Sequence, residues 1–196
     1  MKTSKEVKSG SNIRVVGISG STRTGSYTKL VLNAALQFAE AEGAEVATID
    51  LKDLALPMYD QDLEAEGLPD SVIRLKKSVE DAGMLIIATP EHNHTIPAVL
   101  KNAIDWLTRG GNNSFSGKAA AIISQSPGQL GGMRAQAHLR QILTALDVYM
   151  VPQPQANIPA VHELFRADGT MTNQKIEAQL KLLIHKTIRF ANVLQD

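Results

Sequence analysis

Gly83-Met84-Leu85-Ile86-Ile87-Ala88-Thr89 carries five consecutive apolar residues and is closed by Pro90. The run is too short for an ordinary helix and apolar on both faces, so it reads as a strand buried on both sides, as parallel sheets require. Upstream, Ser71 to Ala82 has helical periodicity and Glu45 to Leu51 reads as a strand. From Thr28 to Glu42 the apolar positions Leu30, Val31, Ala34, Ala35, Phe38 and Ala39 recur at helical spacing, with Gly43 as the stop. Ile13 to Ser19, rich in β-branched residues, is the first strand. Downstream, a helix is expected from Pro97 to Thr108 and a strand from Lys118 to Ser124. A helix from Gly132 to Leu146, a short fifth strand at Val148 to Val151 and a closing helix from Asn173 to Val193 follow. Lys52 to Asp70, with Pro57, Gly67 and Pro69, reads as a long connection without regular structure. This alternation predicts an α/β protein, a parallel sheet with helices on both faces.

The composition narrows the function classes. Acidic and basic residues balance, 20 against 20, which gives no global electrostatic case for nucleic acid or an anionic membrane surface. Cysteine is absent, excluding disulfides, thiolate nucleophiles, iron–sulfur clusters and thiolate zinc sites, and compatible with a cytoplasmic protein. The hydrophobic fraction of 43% is ordinary, and no window approaches the apolar length of a membrane span. Residues 1–11 are polar and lysine-bearing, without the apolar core of a secretory signal, and read as a disordered tail before one domain over 12–196.

Sheets of this kind bind ligands beyond the carboxyl ends of their strands. The loops after the first, third and fourth strands are therefore the candidates. Gly20-Ser21-Thr22-Arg23-Thr24-Gly25-Ser26-Tyr27-Thr28 combines small residues, hydroxyls and a helix N-terminus, with Arg23 as a fork for phosphate oxygens. A plain helix cap needs fewer donors than this, so anion binding is the stronger reading. Gly20 and Gly25 have the spacing of a triphosphate loop, but Ser26 stands where that motif needs lysine, and the dinucleotide pattern is not met. A monophosphate fits better than either. Thr89-Pro90-Glu91-His92-Asn93-His94-Thr95-Ile96-Pro97 is stiffened by two prolines and suits the edge of a planar ring. His92 and His94 beside Glu91 also open a metal reading, for which no third or fourth ligand can be named. In Ser124-Gln125-Ser126-Pro127-Gly128-Gln129-Leu130-Gly131-Gly132, three glycines permit close backbone approach to a ligand. Trp106 reads as packed, His138 as structural, and Lys101 and Arg109 as solvated or locally paired.

Taken in order, Gly20 to Ser26, Pro90-Glu91-His92-Asn93 and Leu100-Lys101-Asn102-Ala103-Ile104-Asp105-Trp106 resemble the NADPH-dependent FMN reductase family. The closest likeness is to its chromate and quinone reductases. Ser124 to Arg140 is similar to that subgroup too, and the resemblance spans Ile13 to Pro154. It implies a flavodoxin-like three-layer sandwich with a five-stranded parallel sheet, order 2-1-3-4-5. It also implies bound FMN, with NADPH or NADH as electron donor. By position, Ser21, Arg23 and Ser26 would hold the phosphate, with Tyr27 and Thr28 completing that loop. Pro90, Glu91, His92 and Asn93 would border the flavin ring, and Ser124, Ser126 and Gly128 would close its other side. Thr28 stands where the family usually has Asn, and His92 where it usually has Tyr. The resemblance further implies a homodimer or homotetramer, with Leu54 to Leu68 helping to build the subunit boundary.

The expected activity is FMN-dependent reduction of a small acceptor: a quinone, chromate, a ferric complex, an azo compound or free flavin. No side chain is nominated as a catalytic acid or base, because the cofactor carries the chemistry. Two other readings stand beside it. One is a flavodoxin-type electron carrier serving protein partners, which usually shows an acidic face. The other is a metal-dependent hydrolase built on His92 and His94.

Overall fold

Side chains alternate across a strand, so a strand that is apolar throughout must feed two separate cores. The computed structural model, which describes residues 13–195, shows both. The strands are β1 (Arg14–Ser19), β2 (Glu45–Ile49), β3 (Met84–Pro90), β4 (Ala119–Gln125) and β5 (Ala156–Ile158). They form one sheet in the order β2-β1-β3-β4-β5, every pairing parallel. Met84, Ile86 and Ala88 of β3 enter the core beneath α1 (Tyr27–Ala41) and α7 (Gln174–Gln195). Leu85 and Ile87 enter the opposite core, beneath α4 (Asp70–Glu80), α5 (Ala98–Leu107) and α6 (Met133–Ala145). Burying each such Leu or Ile side chain stabilises the fold by about 1.5–3 kcal/mol. The result is the expected flavodoxin-like three-layer sandwich. The tail expected at 1–11 lies outside the described residues.

Two expectations are corrected. The fifth strand is Ala156–Ile158, not Val148 to Val151. Tyr149 does pair with the start of β4, taking the amide of Ala120 and giving its own to Lys118, but this is a single bridge. Pro152 and Pro154 then interrupt the edge, since proline brings no N–H to a ladder, and pairing resumes beside Ile123. The stretch from 52 to 70 is also more ordered than expected. It contains α2 (Leu51–Leu54) and α3 (Gln61–Glu66), capped by the carboxylates of Asp50 and Asp60.

The segment between those short helices is fastened to α5. Asn102 gives its amide to the carbonyl of Pro57 at 2.8 Å and accepts from Tyr59 N at 2.8 Å. Trp106 Nε1 donates to the same Pro57 carbonyl at 2.8 Å, and its ring meets Tyr59 edge-on. The Asn102–Trp106 part of the motif is therefore structural: it holds 57–59 against the sandwich.

Candidate functional site

The first loop leaves β1 at Ser19 and enters α1 at Tyr27. Gly20 N donates to Ala88 O at 2.8 Å, tying the start of the loop to β3. Ser26 is the N-cap of α1, with its Oγ accepting from Thr28 N at 3.2 Å. The helix has no acidic residue in its first turn, so its positive end is not neutralised locally. Arg23 lies exposed, and among the described residues its guanidinium meets neutral groups, the Gly25 carbonyl at 3.4 Å and the Tyr27 ring with its centroid at 5.9 Å. Lys52 adds a second positive charge, donating to Thr24 Oγ1 at 3.4 Å. Lys29, by contrast, is held by Asp50 at 2.6 Å.

The second loop folds back on itself. His92 N donates to Thr95 O and Thr95 N to His92 O, at 2.9 and 3.0 Å. Asn93 and His94 between them both have positive φ, +47° and +67°, the pattern of a type I′ turn. The turn sets His92 at the edge of the site and carries Asn93 and His94 outward. Glu91 is committed elsewhere: its carboxylate accepts from the backbone amides of Arg134 and Ala135 and from the Arg134 guanidinium at 3.2 Å. It thus supplies the cap that Gly132 cannot give α6. His138, on α6, hydrogen-bonds Thr95 Oγ1 at 2.9 Å. Among the described residues no group of three or more His, Asp or Glu side chains is placed to hold a metal ion.

In the third loop Gly131, Gly132 and Ser124 serve packing. A Cβ on Gly131, whose φ is +56°, would lie 2.6 Å from Ile158 N. One on Gly132, at φ +76°, would lie 3.0 Å from Gln125 O. Gly131 and Gly132 thus bring the loop against β5 and the end of β4, whereas the space beside Gly128 is open, with Ser126 Oγ nearest at 3.8 Å. Ser124 is fully buried, donating to Gly131 O at 2.9 Å and accepting from Asn157 Nδ2 at 2.8 Å.

The three loops open into one cavity of about 500 Å³. Of the residues expected at the site, Ser21, Arg23, Ser26, Tyr27, Thr28, Pro90, Glu91, His92 and Ser126 line it. Asn93, Ser124 and Gly128 do not. The wall also includes Gly20, Thr22, Val99 of α5, Gln125, Pro127 and Val161, the last from the turn after β5. Gln125 is the most informative of those not singled out from sequence. It ends β4, is 7% exposed, and donates its Nε2 to Thr28 Oγ1 at 2.7 Å. A polar amide closing the apolar run Ala119 to Ile123 was the available signal. Val161 carried none, because only the return of β5 brings it to the site.

A parallel sheet in the order 2-1-3-4-5, with a cationic, hydroxyl-rich loop at its carboxyl end, defines a flavodoxin-like α/β protein. Residues 13–163 match the NADPH-dependent FMN reductase family, and the chain belongs to it. It is an oxidoreductase that works with FMN and a reduced nicotinamide. The chain is 42% identical over 177 residues to an NAD(P)H-dependent FMN reductase of Pseudomonas aeruginosa, covering 88% of this chain and 94% of that one. It is 38% identical over 144 residues to a quinone reductase of Escherichia coli K12, covering 73% and 76%. Among solved structures it is similar to FerB, a flavoenzyme NAD(P)H:(acceptor) oxidoreductase from Paracoccus denitrificans. That likeness has a TM-score of 0.83 at 35% identity over 92% of this chain and 97% of FerB.

Proposed function

We propose that the cavity seats FMN with its phosphate on the β1–α1 loop and its ring against Pro90 and His92, and that the protein reduces small acceptors, quinones first among them. The observation that carries this reading is the first loop. Ser21, Arg23 and Ser26 line the cavity beside the start of a 15-residue helix with no carboxylate in its first turn. Unpaired cationic and hydroxyl donors at a helix N-terminus favour a compact dianion. A triphosphate would need the lysine that Ser26 replaces. The donor set therefore fits a phosphate monoester, and FMN is one.

When bound, FMN supplies the redox chemistry, taking a hydride from the reduced nicotinamide and giving two electrons to the acceptor. The chain's residues hold, orient and screen. The loop from Ser21 to Ser26 anchors one end of the ligand, and the turn at His92–Thr95 gives a stiff rim at the other. Glu91 is occupied by α6, accepting from Arg134 at its N-terminus.

Assembly into a homodimer or homotetramer is supported by Met58, 71% exposed on a segment that Asn102 and Trp106 hold rigid. We place the protein in the cytoplasm, where reduced nicotinamides are made. Among the described residues no helix is long and apolar enough to cross a membrane.

An absorption titration tests the central reading. Adding FMN to the purified protein should perturb the flavin bands, adding NADPH should bleach them, and a small quinone should restore them. FMN that fails to bind removes the proposal. Bound FMN that neither NADPH nor NADH can reduce transfers the protein to the electron-carrier class.

A further inference from the structure

The turn from His92 to Thr95 is held in a form that its own sequence does not favour. Asn93 and His94 have φ of +47° and +67°. Type I′ turns prefer Asn-Gly, because glycine takes up positive φ without a steric cost. Histidine stands here in glycine's place. Such a turn persists where its surroundings fix it.

Those surroundings are one face of α6. At the start of the turn, Glu91 accepts from the amides of Arg134 and Ala135 at 3.1 and 3.4 Å and from the Arg134 guanidinium at 3.2 Å. At its end, His138 Nδ1 and Thr95 Oγ1 are 2.9 Å apart, a bond that either imidazole tautomer can make because the hydroxyl turns to suit. Arg134 and His138 are four residues apart and so share a face of the helix. Pro90, Glu91 and His92 line the cavity, whereas Thr95 and His138 do not. His138 can therefore act on a ligand there only through the turn.

We propose that His138, acting through Thr95, is a positioning residue for the rim at His92, and that α6 in this way keeps the ring end of the flavin site preformed. The inference rests on the FMN reading above and adds to it a residue outside the cavity that governs binding of the ring. A preformed rim spares the ligand the ordering of the turn, so loosening it weakens binding without removing any contact to the ligand.

The test is a fluorescence titration of FMN and of riboflavin, which share the ring. His138→Ala should weaken both by the same factor, about three- to tenfold. His138→Asn, whose amide can take the place of Nδ1, should keep the wild-type affinities. His94→Gly makes the turn Asn-Gly, and in the His138→Ala background it should restore most of the loss, which a general disturbance of α6 would not allow. Wild-type affinities in His138→Ala, a loss confined to FMN, an equal loss in His138→Asn, or a loss that His94→Gly leaves unrepaired would each overturn the proposal. Failure of the wild-type protein to bind FMN at all would instead remove the FMN reading, and this inference with it.

Discussion

The loops after β1 and β4 look alike as sequence. Both run from a strand to a helix, both are rich in serine and glycine, and both stand at the carboxyl end of the sheet. The structure gives them different work. In the first loop the hydroxyls of Ser21 and Ser26 and the guanidinium of Arg23 border the cavity. In the other, Gln125, Ser126 and Pro127 reach the cavity, but Gly131 and Gly132 make room for neighbouring backbone, and Ser124 is locked between Gly131 and Asn157. Small residues at a strand end report only that something approaches closely. Whether that is a ligand or another strand depends on long-range topology.

Three substitutions can break this contrast. Gly131→Ala meets both a positive φ and the backbone of Ile158, so a loss of roughly 3 kcal/mol or more of stability is expected in urea unfolding. Unchanged stability would mean the loop is free to move aside. Arg23→Ala should behave in the opposite manner. Stability should stay within about 0.5 kcal/mol, while FMN affinity falls by about ten- to a hundredfold in a fluorescence titration. Ser124→Ala leaves Asn157 without its acceptor and should cost about 1–2 kcal/mol of stability with FMN affinity unchanged. A selective loss of FMN binding there would mean that Ser124 itself serves the ligand.

A smaller effect, far from both loops, calibrates the stability measurements. Ser114 Oγ donates to Glu80 at 2.7 Å and Asn112 Nδ2 at 2.9 Å, and these bonds hold its carboxyl below the ordinary glutamate range. The unfolded chain therefore takes up this proton first as pH falls. The contribution is present at neutral pH and is lost as pH drops through about 4 and below. Glu80→Gln should flatten that part of the pH dependence of the urea midpoint. An unaltered profile would show that Glu80 plays no part in acid lability.

Much of the fold was legible because β3 and β4 are apolar on both faces and the helices between strands carry clear periodicity. The edge was not. Val148 to Val151 has the composition of a strand, yet only Tyr149 bridges to β4 before the prolines intervene, and Ala156–Ile158 takes the edge instead. The helices Leu51–Leu54 and Gln61–Glu66 are too short to show an apolar period, although their aspartate caps were visible. At the site, local chemistry found the first loop. It could not show that Glu91 caps α6, that Asn93 turns away, or that Gln125 reaches 97 residues back to Thr28.

The central claim is that the first loop holds the phosphate of FMN. Its most direct test is the affinity of the wild-type protein and of Arg23→Ala for FMN and for riboflavin, which has the same ring and chain without phosphate. The wild-type protein should bind FMN at least about a hundredfold more tightly, and Arg23→Ala should lose most of that difference while keeping its affinity for riboflavin. Equal affinity of the wild-type protein for the two flavins would contradict the account.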